Sequence, residues 1–269
     1  MSNYAKEYTL NEMLAAAVAR ELRDGEVGFI GRGTGDRAFT LAVGLPVVAT
    51  RLAQMSHAPN CHLQMGGMIT PRLDQVPEVL NESSMTDWRC SAQLPTYEIM
   101  EYVAKGGVDV AFVSGAQIDK FGNLNITAIG DYRKTKVRLI GCLALPEHLA
   151  FARRPFIVAD LNKRVFIEKV DFITGAGYLT GGNSRIHAGL KPQGPYMVFT
   201  DKALFDFDED TKVMRLKSLH PGVSVEDVKA NMGFAPVIPE DVPTTEPPTE
   251  EQVRLIREVI DPNKTLLRA

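Results

Sequence analysis

The sequence is poor in cysteine and tryptophan, and it has no spacing typical of a metal site. Its 269 residues include three cysteines and one tryptophan. Cys61, Cys90 and Cys142 are odd in number and widely spaced, so neither a disulfide framework nor a CxxC metal pair is expected. The five histidines show no zinc-ligand spacing. These absences indicate a reducing compartment, and we expect a cytoplasmic protein without a bound metal.

Basic blocks and long apolar runs are also missing. The chain has 30 Lys and Arg against 33 Asp and Glu, a formal net charge of −3, which disfavours nucleic acid and anionic membranes as partners. Charged residues such as Arg20, Asp36 and Arg51 interrupt the most hydrophobic region, so no membrane-spanning helix is predicted. The N-terminal segment lacks the apolar core of a signal peptide. We therefore expect a small molecule or another protein as the partner.

Helical and strand patterns alternate in the first part of the chain. Thr9 and Glu12 form a capping-box pattern ahead of an apolar helical periodicity that ends near Leu22. The later elements are predicted as a strand at 27–30, a helix at about 38–56, a strand at 61–65, a helix at 96–105 and a strand at 108–113. Such alternation predicts an α/β fold, an open, mostly parallel sheet with flanking helices.

Three glycine-containing segments follow predicted strands. Because ligands of open α/β sheets bind at the carboxyl ends of the strands, we expect Gly31–Asp36, Gly66–Gly67 and Ser114–Asn125 to lie near one another. The first segment, GRGTGD, lacks the third glycine of the dinucleotide fingerprint and the Gly-Lys-Ser/Thr ending of a P-loop. NAD and ATP are therefore disfavoured as ligands, and a plain surface turn is the commoner interpretation of this segment.

From about residue 154 the pattern changes to short strands separated by turns. Six strands are predicted, at 155–160, 164–168, 170–174, 196–200, 203–207 and 213–219. Two helices follow, with Ser224 and Thr249 as their N-cap residues. No internal repeat and no second composition class is present, so the pattern favours one domain, 1–269, with a short-strand-rich C-terminal half.

The stretch from Ser114 to Tyr132 is the most informative part of the sequence. It follows the strongest predicted strand and is rich in Gly, Asn and Asp. Small residues just past a strand end let backbone amides approach a ligand, and such amides can form an oxyanion hole. The same composition also suits a tight turn without a ligand. Both interpretations stay open on spacing alone.

Several motifs resemble the β subunits of class I CoA-transferases, most closely the glutaconate CoA-transferase type. They are SGAQIDKFGNLN and the following IGDYRKTKVRLIG, HAPNCH at His57–His62, and IREVIDP at Ile256–Pro262. The resemblance extends from about Leu10 to Pro262. It implies a CoA-transferase, ribose-isomerase-like fold, an obligate α subunit in an α2β2 or larger assembly, and an acyl-CoA thioester as substrate at the interface of the subunits.

One residue central to that family is absent. In the transferases a β-subunit glutamate shortly after an A-P-D segment attacks the thioester, which splits one difficult transfer into two easier ones. Counted from Ala58-Pro59-Asn60, the equivalent position is Gly66, and no carboxylate lies between Asn60 and Arg72. The resemblance then favours the glutamate-lacking branch, which includes steroid ring-opening CoA-ester hydrolases.

The hydrolase interpretation assigns roles to residues on this chain. An acid or base of the α subunit would activate water against a β-keto carbonyl. Gly115 and Ala116 amides and the Gln117 side chain would hold the developing oxyanion, while Asn123 and Asn125 would fix the loop or bind substrate oxygens. Gly66 and Gly67, which open space for water or an acyl group, are expected to line the substrate pocket together with Met65 and His62.

Coenzyme A is expected only as part of the substrate, with no permanently bound cofactor. Arg133, Lys136 and Arg138 belong to a basic cluster that could bind its phosphates, although a solvated strand face has the same composition. A CoA-transferase using another carboxylate, a decarboxylase of the same superfamily, and a non-catalytic CoA-ester-binding subunit remain as alternatives. We also expect His62 and His220 to be the histidines most worth mutating.

Overall fold

The computed structural model describes residues 3–31, 36–77, 87–142 and 144–268. Most of the predicted turn at Gly31–Asp36 thus lies outside the described residues. The chain forms two compact units, one of Met1–Tyr102 with Glu246–Ala269, the other of Val103–Thr245. The boundary between them precedes residue 154, where the short-strand pattern begins.

The first unit contains a small mixed sheet. Its strands are β1 (Val27–Ile30), β2 (His62–Met65), β3 (Met68–Ile69) and β4 (Ala92–Gln93). β1 and β2 are parallel, while β2, β3 and β4 pair antiparallel in that order. The sequence predicts β1 with the bounds observed, and it places β2 within one residue.

Two helices of the first unit begin at the predicted caps Thr9 and Thr249, whereas the single helix predicted at about 38–56 is divided by a π-helical turn. The helices are Leu10–Glu21, Asp36–Phe39, Leu45–Gln54 and Glu250–Leu255, with π-helical turns at Thr40–Gly44 and Ile256–Ile260. The Thr9 hydroxyl accepts from the Glu12 N–H at 3.2 Å, and the Glu12 carboxylate accepts from the Thr9 N–H at 2.7 Å. Arg257 holds the same carboxylate at 2.6 Å, which ties the first helix to the C-terminal helical segment.

The second unit is built on a sheet with its parallel strands together. The strands are β5 (Val110–Val113), β10 (Arg154–Val158), β11 (Met197–Phe199), β12 (Ala203–Phe207) and β13 (Met214–Leu219). β5, β10 and β11 are parallel, and β12 and β13 extend the sheet antiparallel. Phe156 of β10 is fully buried and contacts Phe112 and Phe199 at centroid distances of 5.6 and 5.3 Å.

Along the chain, two hairpins and several short helices lie between or next to these strands. The hairpins pair β6 (Gln117–Ile118) with β7 (Leu124–Asn125), and β8 (Ala128–Ile129) with β9 (Val137–Arg138). The helices are Thr96–Ala104, which starts in the first unit, Leu145–Phe151, Ser184–His187 and Val225–Ala230. The last has the predicted capping box of Ser224 and Asp227.

Two predicted strands are wrong, at 164–168 and 170–174. The N–H groups of Val165 and Phe166 donate to the Asn162 carbonyl, so the chain turns there, and Phe166 makes a single bridge to Ile118. Phe166 is fully buried. Its apolar side chain therefore fills the core without extending a sheet, and burial alone produced the strand-like pattern.

The α/β class and the mixed, largely parallel sheet with flanking helices confirm the predicted fold class. No described helix is long and apolar enough to cross a membrane.

Candidate active site

The hairpin between β2 and β3 ends in two glycines. Met65 pairs with Met68, which leaves Gly66 and Gly67 as a two-residue turn. Gly66 has φ +55°, in the left-handed region that favours glycine. A Cβ on Gly67 would lie 2.5 Å from the Leu94 carbonyl oxygen, so that position has no room for a side chain. The end of this strand therefore presents backbone only.

Side chains along β2 alternate between two faces of the sheet. His62 is half-buried and lies on the same face as Gly66, four residues later. Met65 lies on the opposite face and is 1% exposed. The predicted pocket group is thus divided: His62 and Gly66 share a face, while Met65 is part of the core.

Gln64 was not singled out by sequence reasoning. It lies between His62 and Gly66 on their face, and its side chain is 0% exposed. Neither Nε2 nor Oε1 of Gln64 has a hydrogen-bond partner among the described residues. A buried polar group without a partner costs about 1–3 kcal/mol. A lone glutamine in an apolar strand was the sequence signal that could have revealed it.

In the second unit, Asn123 organises the loop that follows β6. Its amide donates to the Asp119 carboxylate at 2.9 Å and to the Leu179 carbonyl at 2.8 Å, and its oxygen accepts from the Gly177 N–H at 2.9 Å. Burial raises the pKa of the Asp119 carboxyl, although the hydrogen bonds from Asn123 and Phe121 oppose that shift. All hydrogen-bonding capacity of the Asn123 side chain is used within the protein.

Asn125 and Gln117 form a second saturated cluster. The fully buried Asn125 donates to Gln117 Oε1 at 2.6 Å and to the Ala128 carbonyl at 2.7 Å, and it accepts from the Thr127 N–H at 2.9 Å. Gln117 Nε2 donates to Asp171 at 3.0 Å. The hydrogen bond from the Gly130 N–H, followed by that from Gln117, lowers the pKa of the Asp171 carboxyl.

The amides predicted to bind an oxyanion differ in availability. The Ala116 N–H donates to the Asn125 carbonyl at 2.9 Å. The Gly115 N–H has no partner among the described residues. A Cβ at Gly115 would lie 2.8 Å from the Gln117 carbonyl oxygen, so only glycine fits there. Gly115 thus keeps a donor that no described residue uses, whereas the Ala116 N–H and the Gln117 side chain are hydrogen-bonded.

The predicted basic cluster lies on the hairpin of β8 and β9. Arg133, Lys136 and Arg138 are exposed, and none makes an ion pair within the described part of the chain. The Arg138 guanidinium lies 5.8 Å from the Tyr132 ring centroid, and that ring stacks on Phe172 at 4.9 Å. The hairpin therefore carries exposed positive charge, of which only Lys136 is near a described carboxylate, that of Asp171.

Asp171, Thr174 and Arg185 are supporting residues that the sequence did not identify. Thr174 Oγ1 accepts from the Ile126 N–H at 3.0 Å. Arg185 is 1% exposed and donates to the Ala176 and Gly177 carbonyls at 2.6 and 2.8 Å. Asp171 and Thr174 lie 54 and 48 positions from their partners Gln117 and Ile126, so no local pattern marks them.

The remaining histidine of interest has the contacts of a structural residue. His220 is 3% exposed; its Nδ1 lies 3.0 Å from Thr245 Oγ1 and its Nε2 lies 2.8 Å from the Thr200 carbonyl oxygen. Burial lowers the pKa of His220. Within the described ranges, no group of three or more His, Cys, Asp or Glu residues is arranged to hold a metal ion. The predicted crevice formed by Gly31–Asp36, Gly66–Gly67 and Ser114–Asn125 stays a prediction.

Comparison with known proteins gives consistent similarities. The sequence pattern of the family described as "Coenzyme A transferase" matches residues 11–231. The chain is 35% identical to the B subunit of 3-oxoadipate CoA-transferase from Pseudomonas knackmussii, over 93% of this chain and 92% of that one. It is 29% identical to the cholesterol ring-cleaving hydrolase IpdB subunit of Rhodococcus jostii, over 86% and 87%. The crystal structure of glutaconate coenzyme A-transferase from Acidaminococcus fermentans is similar with a TM-score of 0.83 and 32% identity, over 99% and 100% of the two chains.

Proposed function

The chain belongs to the coenzyme A transferase family, and from this premise we propose that it is the β subunit of a heteromeric enzyme that hydrolyses a carbon–carbon bond of a cyclic β-keto acyl-CoA. Water would add across the bond: its oxygen forms a carboxylate at the former ketone carbon, and a proton goes to the carbon released. The thioester would remain intact.

The observation that carries this proposal is the bare end of β2. Covalent CoA transfer requires a side-chain nucleophile on the enzyme. At Gly66 the backbone has a positive φ, and the next residue has no space for a Cβ. Between Asn60 and Arg72 there is no carboxylate to replace the missing one. The Leu94 carbonyl fills the space beside Gly67, contrary to the open space expected there, so the support for water as the nucleophile is the missing carboxylate.

For carbonyl binding, the supported donor is the Gly115 N–H, because it has no partner among the described residues. A backbone amide aimed at a developing oxyanion stabilises the transition state. Ala116 and Gln117 would serve by holding Gly115 in place, through the bonds to Asn125 and Asp171. Asn123 and Asn125 would fix the loop.

Coenzyme A would bind through its phosphates to Arg133, Lys136 and Arg138, which are exposed and make no ion pair within the described part of the chain, although Lys136 lies near the Asp171 carboxylate. The expected test is a rise in KM for the CoA ester in Lys136→Ala and Arg138→Ala, and a smaller rise for the dephospho-CoA ester. An equal rise for both esters would contradict phosphate binding.

The partner would be an α-type subunit that supplies the acid or base, since the relatives are themselves named as one subunit of a larger enzyme. The decisive experiment incubates the assembled complex with a cyclic β-keto acyl-CoA and no carboxylate acceptor. Hydrolysis predicts a product heavier by one water that still carries CoA. Consumption only with an added carboxylate, together with inactivation by borohydride through a trapped enzyme–CoA thioester, would overturn the proposal.

CoA transfer is the second candidate, favoured by the higher identity to the 3-oxoadipate CoA-transferase chain, 35% against 29% for the hydrolase chain. Its carboxylate would have to come from another position or from the partner. The resemblance implies that a decarboxylase of this superfamily would have a cysteine in place of the glutamate, whereas this chain has Gly66 there; the nearest cysteine, Cys61, lies five residues earlier and is 0% exposed. That burial disfavours a reactive thiol at this position.

A further inference from the structure

Gln64 has a buried carboxamide in the first unit that the proposed mechanism does not use. Its side chain is 0% exposed, yet neither of its polar atoms has a partner among the described residues. Protein interiors rarely keep such groups without a ligand, a water or a functional reason.

Other glutamines of the chain show what a structural amide does. Gln54 Nε2 donates to the Cys61 carbonyl at 2.7 Å. Gln117 uses both ends, donating to Asp171 and accepting from Asn125. Each of these amides closes a local network. Gln64 closes none, so a purely structural role leaves its presence unexplained.

The position of Gln64 relates it to the candidate active site. It precedes Gly66 by two residues, close to the turn that follows β2. Its neighbours along and across the strands are His62 and Ile69, which are half-buried, and Phe29 of β1, which is 8% exposed, whereas Leu63 and Met65 on the other face are 1% exposed. The amide therefore lies on the less covered face, beside the turn that lacks the nucleophile.

We propose that Gln64 determines substrate specificity by hydrogen bonding an oxygen of the acyl group other than the thioester oxygen. Nε2 donates to a ketone or carboxylate oxygen, and Oε1 accepts from a hydroxyl group or a bound water. This inference rests on the proposed acyl-CoA function, and it specifies that the acyl chain is oxygenated. A site that leaves polar groups unpaired rejects a substrate lacking the matching group.

The test compares Gln64→Met with Gln54→Met in the assembled complex. It measures KM for a cyclic 3-oxoacyl-CoA and the inhibition constant of the same acyl-CoA without the 3-oxo group, which has no ketone for water to attack; the preference is the ratio of these two constants. Gln64→Met is expected to reduce the preference for the oxo substrate at least about tenfold, and to raise the melting temperature of the chain by about 2–4 °C. Gln54→Met is expected to keep the preference and lower the melting temperature.

The outcomes separate this inference from the proposed function. Should the complex consume neither CoA ester, the proposed function fails, and binding is then read from the rise in melting temperature that each ester causes. A preference for the oxo ester that is lost in Gln64→Met supports the inference in either readout. An unchanged preference, or a lower melting temperature in both Gln64→Met and Gln64→Leu, overturns it.

Discussion

The β2–β3 turn and the loop after β5 contrast in how they treat their polar groups. In the loop, Asn123 and Asn125 use their amides fully, and the protein supplies every partner. At the turn, two glycines leave only backbone, and the Gln64 amide beside them has no partner among the described residues. The asparagine side chains of the loop have all their hydrogen-bond partners within the protein, whereas the Gln64 amide at the turn keeps unused hydrogen-bonding capacity.

This difference teaches that a motif-rich segment need not carry chemistry. The Gly- and Asn-rich loop looks reactive in sequence, but its side chains serve mainly to hold one backbone donor, at Gly115. The less conspicuous strand end has the orphaned amide. Gln64 is therefore found from an unsatisfied buried group and not from composition.

The largest expected effect on stability comes from the loop after β5, whose asparagine side chains are fully hydrogen-bonded. Asn123→Ala removes the partner of the buried Asp119 carboxylate and leaves the Gly177 N–H without an acceptor. We expect a loss of about 3–5 kcal/mol in the free energy of unfolding, as for other broken buried networks. Urea denaturation followed by far-UV circular dichroism measures it.

The matched control is Asn231→Ala, in the same unit, which removes an exposed hydrogen bond to the Asp227 carbonyl. Its cost is expected to stay below about 1 kcal/mol. Equal losses in the two variants would mean that the Asn123 network does not stabilise the loop as described.

Alanine at the two turn glycines tests the other region. Gly67→Ala places a Cβ 2.5 Å from the Leu94 carbonyl oxygen, a backbone atom that cannot move aside cheaply, and we expect a loss of about 2–4 kcal/mol. Gly66→Ala places an L residue at φ +55°, which costs about 1–2 kcal/mol. The single tryptophan, Trp88, is buried in the same unit and reports unfolding by its fluorescence. A larger loss for Gly66→Ala would contradict this geometry.

The pH dependence of stability tests another buried group, His148 of the second unit. Burial lowers its pKa from 6.5 to about 4. As the pH falls below 6.5, the unfolded chain takes up a proton that the folded chain does not, so stability that is present at pH 7 is lost toward pH 4. We expect a loss of about 2 kcal/mol between about pH 7 and pH 5 from this group.

Urea midpoints at these two pH values measure that loss, and His148→Leu should flatten the pH dependence. His187→Leu, at an exposed histidine, is the control and should keep the wild-type slope. The same slope in all three proteins would show that His148 is not the group responsible.

Local signals predicted the parts of the fold that depend on near neighbours. The capping boxes at Thr9, Ser224 and Thr249 are confirmed, because each needs only residues three positions apart. The strands predicted at 164–168 and 170–174 are wrong, because burial beneath a loop produces the same apolar pattern as a sheet.

The site was less predictable for a related reason. Its candidate residues come from short motifs, but their bonding depends on partners far along the chain, as between Gln117 and Asp171, 54 residues apart. Likewise, that Gln64 lacks a partner among the described residues is a property of its surroundings in three dimensions. No spacing in a single sequence reports it.

Thr50→Val gives the smallest effect and separates an orphaned group from a functional one. Thr50 is fully buried in the helix Leu45–Gln54, and its hydroxyl has no partner among the described residues. Valine has nearly the same shape and no hydroxyl, so we expect stability to rise by up to about 1 kcal/mol in Trp88 fluorescence denaturation. Thr40→Val is the control: its hydroxyl donates to the Asp36 carbonyl at 3.1 Å, and its loss should cost about 1 kcal/mol.

Because Thr50 lies on a helix and Gln64 on the strand that leads to Gly66, Thr50→Val should leave acyl-CoA selectivity unchanged while Gln64→Met alters it. If both variants changed selectivity alike, loss of an orphaned group anywhere in this unit would explain the result, and the contrast between the turn and the loop would lose its functional meaning.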